Sequence, residues 1–147
     1  MENPQDSYWR LRLAELKTVL EQNEFAVFLA DSAKHAADIV KERILPEINP
    51  QSIAWGGSMT FLATGLYEEL SREGTFDVID TYDKNVPPEE VLERRRRALL
   101  SDLFFTGTNA ITETGLLVNL DMIGNRIGGL TFGPRHAVVL AGRNKIV

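Results

Sequence analysis

Apolar positions recur along this chain in two distinct rhythms. Tyr8, Trp9, Leu11, Leu13, Leu16, Val19 and Leu20 fall at helical spacing, which predicts an amphipathic helix over residues 7–22 capped by Ser7 or Asp6. The run "FAVFLA" at 25–30 is short, apolar and rich in Phe and Val, as a buried strand would be. A helix follows from the caps Asp31 and Ser32, closed by Pro46 and Pro50. "SIAWGG" at 52–57 predicts a second strand. The next helix starts at 58–60, carries Phe61, Leu62, Leu66, Tyr67 and Leu70 on one face, and ends at Gly74.

"TFDVID" at 75–80 reads as a third strand, and residues 89–101 as a helix whose start suits the paired prolines Pro87 and Pro88. "DLFFTG" at 102–107 is strand-like. "LLVNLD" at 116–121 and "RIGGLTF" at 126–132 read as two strands around the turn "MIGN", and "AVVLAG" at 137–142 as a last strand. Strands separated by helices require crossovers. The expected fold is therefore α/β, a three-layer α/β/α sandwich with a largely parallel sheet and a late antiparallel hairpin.

Composition sharpens this picture. At 147 residues and 44% hydrophobic content the chain is expected to form one domain, 1–147, with a single core that buries about 70% of its unfolded surface. No cysteine is present, so the chain can supply no disulfide, no thiolate metal site and no thiol nucleophile. No apolar stretch approaches the ~20 residues of a membrane span and no secretory pattern opens the chain, which predicts a cytoplasmic protein. The net charge of −5 argues against a nucleic-acid partner. That charge is uneven: residues 1–83 hold 7 Lys/Arg against 15 Asp/Glu, whereas residues 84–147 hold 9 against 6. The second part is the better suited to a small anionic metabolite.

Two segments concentrate candidate chemistry. In "WGGSMT", the strand-to-helix turn at 55–60, Gly56 and Gly57 allow close backbone approach, and Ser58 and Thr60 add hydroxyls beside helix amides, where an anion can bind. The pattern is neither a Walker loop nor a dinucleotide fingerprint. The bland alternative is a tight turn with a helix cap. The other segment is "TGTNAITETGLLVNLDMIGNRIGG" at 106–129. Here Glu113 is the leading candidate acid/base, because burial near a turn raises a carboxyl pKa toward neutrality. Asp121, Asn125 and Arg126 would orient or charge-stabilise a substrate, or serve only as turn formers and an ion pair. The run "ERRRR" at 93–97 reads mainly as a solvated helix face held by i,i+4 pairs. His35 and His136 stand apart from acidic clusters, so no metal site is expected. No GxSxG elbow is present.

"GGSMT" at 56–60, the 106–129 segment, "FGPRHAVVLAG" at 132–142 and "NKIV" at 144–147 together resemble the lactate-utilisation (LUD) domain family. The resemblance implies the three-layer fold shared by sugar-phosphate isomerases, coenzyme A transferases and the formyltetrahydrofolate cyclo-ligase. It implies a pocket-bearing subunit in a system oxidising L-lactate to pyruvate, with iron–sulfur partner proteins and no cofactor on this chain. Carried over residue by residue, it marks Gly57, Ser58, Thr60, Thr106, Gly107, Asn109, Glu113, Thr114, Gly115, Asp121, Asn125 and Arg126. The chemistry of the residues themselves assigns the expected roles: Glu113 and Asp121 as catalytic candidates, and the others, joined by Gly56 and Thr108, as substrate contacts. Relatives are expected to run past "NKIV" into a further segment, whereas this sequence stops at Val147. Two other readings stand beside this one: an autonomous transferase or isomerase acting on a phosphorylated or coenzyme A-linked molecule, and a non-catalytic assembly module docking through helix 7–22 or the arginine run. A single site built from both segments requires positions 57 and 113 to share one rim and one cavity.

Overall fold

The computed structural model describes residues 3–147. Four strands form its central sheet: β1 (Ser52–Trp55), β2 (Asp77–Ile79), β3 (Leu103–Thr106) and a strand at His136–Val139. All pairings in this sheet are parallel, in the spatial order β2, β1, β3, last strand. Successive residues of the two central strands point to opposite faces, and both faces are covered. Ile53, Trp55, Leu103 and Phe105 pack on one side with Ala37, Val40, Phe61, Leu66 and Leu70. Ala54 and Phe104 pack on the other with Ala98. This is the expected three-layer arrangement, and burial on both faces explains why β1 and β3 read as unbroken apolar runs rather than alternating ones.

The helices are α1 (Pro4–Gln22), α2 (Ala33–Ile39), α3 (Leu45–Ile48), α4 (Met59–Ala63), α5 (Leu66–Arg72), α6 (Pro88–Ala98) and α7 (Asn125–Thr131). Several depart from the sequence expectation. The cap of α1 is Asn3, whose side chain accepts from the Gln5 amide, with Pro4 in the first turn, rather than Ser7 or Asp6. Pro46 does not stop its helix. A π-helical turn at Val40–Ile44 precedes it, with the Leu45 amide donating to the Val40 carbonyl, and the wider turn relieves the clash a proline ring makes with the carbonyl four residues back. The left-handed Asn49 ends the segment. One helix was expected over 58–74; two form, broken at Gly65, which takes φ +78°.

Two strand expectations fail. Residues 25–30 form no regular element and join no sheet. Val27 packs instead against Leu16 and Leu20, and the Arg43 guanidinium lies 4.6 Å from the Phe28 ring centre. Strand-like composition needs an edge to pair with, and here side-chain packing took precedence. Residues 126–132 are mostly the helix α7. Two glycines lower its intrinsic propensity, but Gly129 lies directly on Phe104, where an added Cβ would come within 2.3 Å of the ring. The close approach to β3 therefore selects both glycine and helix.

The antiparallel hairpin exists, one turn earlier than expected. β4 (Ala110–Ile111) pairs with β5 (Leu117–Val118), and the last sheet strand is accordingly β6. Gly115, at φ +83°, turns the hairpin tip and donates to the Thr112 carbonyl, a conformation open mainly to glycine. The hairpin lies under α1, where Leu16, Leu20 and Ile111 make a separate small core.

Candidate functional site

The carboxyl ends of parallel strands collect the loops that bind ligands in open α/β sheets, and here three of those ends meet. After β1, Gly56 is buried and Gly57 exposed. The Ser58 side chain caps α4 by accepting from the Phe61 amide. After β3, Gly107 lies against Ser58: a Cβ there would approach Ser58 Oγ to 2.8 Å. A Cβ on Gly56 would come within 2.9 Å of both the Arg126 side chain and the Phe104 ring. Nothing lies within 4 Å of the Cβ position of Gly57, so this is where the turn faces free space.

The segment after β2 completes the rim and was not singled out from sequence. Tyr82 Oη donates to the Gly56 carbonyl at 2.6 Å and accepts from the Ser58 amide at 3.0 Å, spanning both ends of Gly57. Burial raises the pKa of this hydroxyl, which keeps it a donor. Asp80 anchors the tyrosine: Oδ1 accepts from the Tyr82 amide at 2.8 Å and from Trp55 Nε1 at 3.3 Å, while Oδ2 accepts from Tyr67 Oη at 3.1 Å. The Tyr67 pKa is also raised, by burial first and by the Asp80 charge second. Arg94 reaches back from α6 to the Asp80 carbonyl and to Asp83. It also makes the one i,i+4 pair of the arginine run, to Glu90, while Arg96 pairs with Glu93 three positions back and Arg97 with Glu90 seven positions back, so the expected i,i+4 ladder is realised at Arg94 alone among the described residues.

Beside this network lies an open concavity of about 680 Å³, lined by residues that include Tyr67, Asp80, Tyr82, Asp83 and Lys84. Its position over the end of a predicted strand was legible by the same rule that marked the Gly56 turn; only the glycine signature was missing.

The remaining sequence candidates divide between the base and the tip of the hairpin. At the base, Thr106 and Thr108 are buried, and Thr108 Oγ1 donates to the carbonyls of Ala110 and Val118, stapling the strands. Asn109 Oδ1 accepts from the Leu120 amide at 3.0 Å and from Arg126 at 2.9 Å. Arg126 also donates to Asp121, Asn119 and the Leu120 carbonyl. The second Asp121 oxygen accepts from the Ile127 amide at 2.9 Å, tying the loop to α7. Asp121 and Arg126 are 8% and 13% exposed, so this is an enclosed clamp whose donors and acceptors already face each other. Asn125 opens α7, and Thr60 lies in α4, half-buried.

At the tip, Thr112 and Thr114 bond through their hydroxyls, and Gly115 abuts Asn23 of α1. Glu113 is exposed and pairs with Arg12 of α1 at 2.6 Å, while its amide donates to Val147. Gly56, Gly57, Ser58, Gly107 and Arg126 are therefore brought together. Glu113 and Thr114 belong to the α1 contact instead, and neither Gly57 nor Glu113 lines the concavity, which reaches the turn only through Tyr82. The expectation of one cavity shared by positions 57 and 113 is not met by this arrangement. Among the described residues, no group of three or more His, Asp or Glu side chains converges as a metal site, and no helix is long and apolar enough to cross a membrane.

The sequence model of the LUD domain matches residues 13–147. No curated protein and no solved structure matches the chain. With nearly its whole length covered, the chain belongs to the LUD domain family.

Proposed function

We propose that this chain is the pocket-bearing subunit of a system that oxidises L-lactate to pyruvate, passing electrons to iron–sulfur partner proteins in the cytoplasm. The observation that carries the reading is the family match over residues 13–147, joined to an open glycine turn at the carboxyl edge of a parallel sheet. Converting the C2 alcohol of lactate to a ketone removes two electrons and two protons. A chain without cysteine cannot hold a thiolate-bound cluster to accept those electrons, so the acceptor in this scheme sits on a partner.

In this reading the substrate lies over Gly57, bordered by Ser58 and the Tyr82 edge, rather than in the neighbouring concavity, where Glu68, Asp80 and Asp83 outnumber Lys84. The Asp121–Arg126 clamp, with Asn109 and Asn119, acts by holding the loops after β3 and before α7 in place. A direct acid/base role for Asp121 would require it to leave Arg126 and the Ile127 amide, and one for Glu113 would require it to leave Arg12. The geometry supports positioning for both better than proton transfer.

The test is reconstitution. The chain should co-purify with iron–sulfur proteins from its own host, and lactate-dependent dye reduction by the mixture should need it. Undiminished reduction by the mixture lacking the chain would overturn the proposal.

A further inference from the structure

The hairpin turns one apolar face inward and leaves another uncovered. Leu117 and Ile111 pack under α1, while Leu116, Val118 and Leu120 alternate with the inward position and are 60%, 49% and 84% exposed. Met122, Ile123 and Ile127 continue the strip into the start of α7 at 95%, 48% and 36% exposure. The hydrogen bonds from Arg126 to the Leu120 carbonyl and from the Ile127 amide to Asp121 hold the two ends of the strip side by side. The concavity beside Tyr82 includes none of these residues.

We infer that this strip is the interface at which a second copy of the chain docks across a twofold axis. Charge argues for a copy over a different partner. Between residues 114 and 125 the only ionised side chain is Asp121, which is 8% exposed and neutralised by Arg126. A strip without exposed charge offers nothing for an oppositely charged partner to read, and it sets no like charges against each other when it meets itself, although the chain as a whole carries −5. A twofold contact also requires a self-complementary patch, and an alternating row of Leu and Val side chains can interdigitate with its own image.

Area is consistent with this occupant. Weighted by the exposures above, six side chains of roughly 60–120 Å² of apolar surface each expose about 220–450 Å². That is roughly a quarter to a half of the ~800 Å² per partner in a specific interface, an apolar centre to which a polar rim is added. The outer edge of β5 pairs with no strand among the described residues, and it borders the strip as part of that rim.

Analytical ultracentrifugation of the full chain, with and without Leu120→Asp and Val118→Asp, tests the inference independently of lactate. The wild-type chain should sediment as a dimer, and each variant should weaken the dimer more than about tenfold while retaining the wild-type circular dichroism and a cooperative thermal transition. Leu11→Asp, at an exposed apolar position on α1 outside the strip, should leave the dimer intact. A monomeric wild-type chain, including one that binds a different protein through the strip, would overturn the inference, as would a dimer unchanged by both strip substitutions.

Discussion

Side chains around the central sheet and side chains under α1 are buried by different means. On one face of the sheet a continuous cluster runs from Ala37 and Val40 through Trp55 and Phe61 to Phe105 and Leu140, most of it without solvent contact. Under α1 only Leu16, Leu20 and Ile111 are buried, each still 6–8% exposed, and the contact is completed by polar stitches: Arg12 to Glu113, Asn23 to the Gly115 carbonyl. The sheet region thus has the rigidity to hold backbone groups around Gly57 in fixed positions. The α1–hairpin region is lightly anchored and exposes apolar surface, which suits an interface better than a reaction site. Two parts of one polar segment therefore fall on opposite sides of a physical divide: 106–109 belongs to the sheet edge, 112–115 to the α1 contact.

The largest expected effect is in the cores. Phe105→Ala should cost about 3–5 kcal/mol of unfolding free energy, as a fully buried aromatic leaves a cavity, and Ile111→Ala about 2 kcal/mol, because the smaller core can relax around it. Urea denaturation measures both; equal losses would erase the distinction between the two regions. Next in size is a pair of glycines. Gly129→Ala should destabilise by about 1–3 kcal/mol through its clash with Phe104. Gly57→Ala should remain within about 0.5 kcal/mol of wild type, since its Cβ would enter open space. A large loss at Gly57 would mean that the turn is closed rather than available to a ligand.

These contrasts also show what could be read in the residues beforehand. β1 and β3 announce themselves, because a strand covered on both faces must be apolar throughout. The Gly56–Ser58 turn was equally visible, since Gly56 is required where Arg126 and Phe104 crowd in, although the openness at Gly57 was not. Three features were hidden for a common reason: they depend on contacts between distant parts of the chain. The helix α7 is selected by Phe104 against its own propensity, 25–30 lacks a strand to pair with, and Glu113 is claimed by Arg12 across 101 positions of sequence. Asp80 and Tyr82 carry no motif, and only their place after β2 marks them.

Smaller effects follow from charge. At the amino ends of the strands, Asp102 accepts from the Ser52 and Gln51 amides, which hold its pKa below the ordinary aspartate value. A depressed folded pKa contributes stability above the unfolded value of about 3.9 and loses it as pH falls through the folded value. Wild-type stability should accordingly drop over this acid range, and Asp102→Asn should show a shallower drop in urea midpoints across it; parallel curves would remove the sheet-end clamp from the account. Least of all, Glu113→Gln should cost no more than about 1 kcal/mol, the usual limit for a partly exposed ion pair. A larger loss would make the α1 contact a principal support of the fold.

The most direct measurement is a residue-resolved amide-shift titration of the chain with L-lactate by heteronuclear NMR. The account predicts perturbations centred on Gly57, Ser58, Tyr82 and Gly107, with Glu113, Thr114 and Gly115 unmoved. Shifts centred on residues 112–115, or none anywhere at saturating lactate, would contradict it.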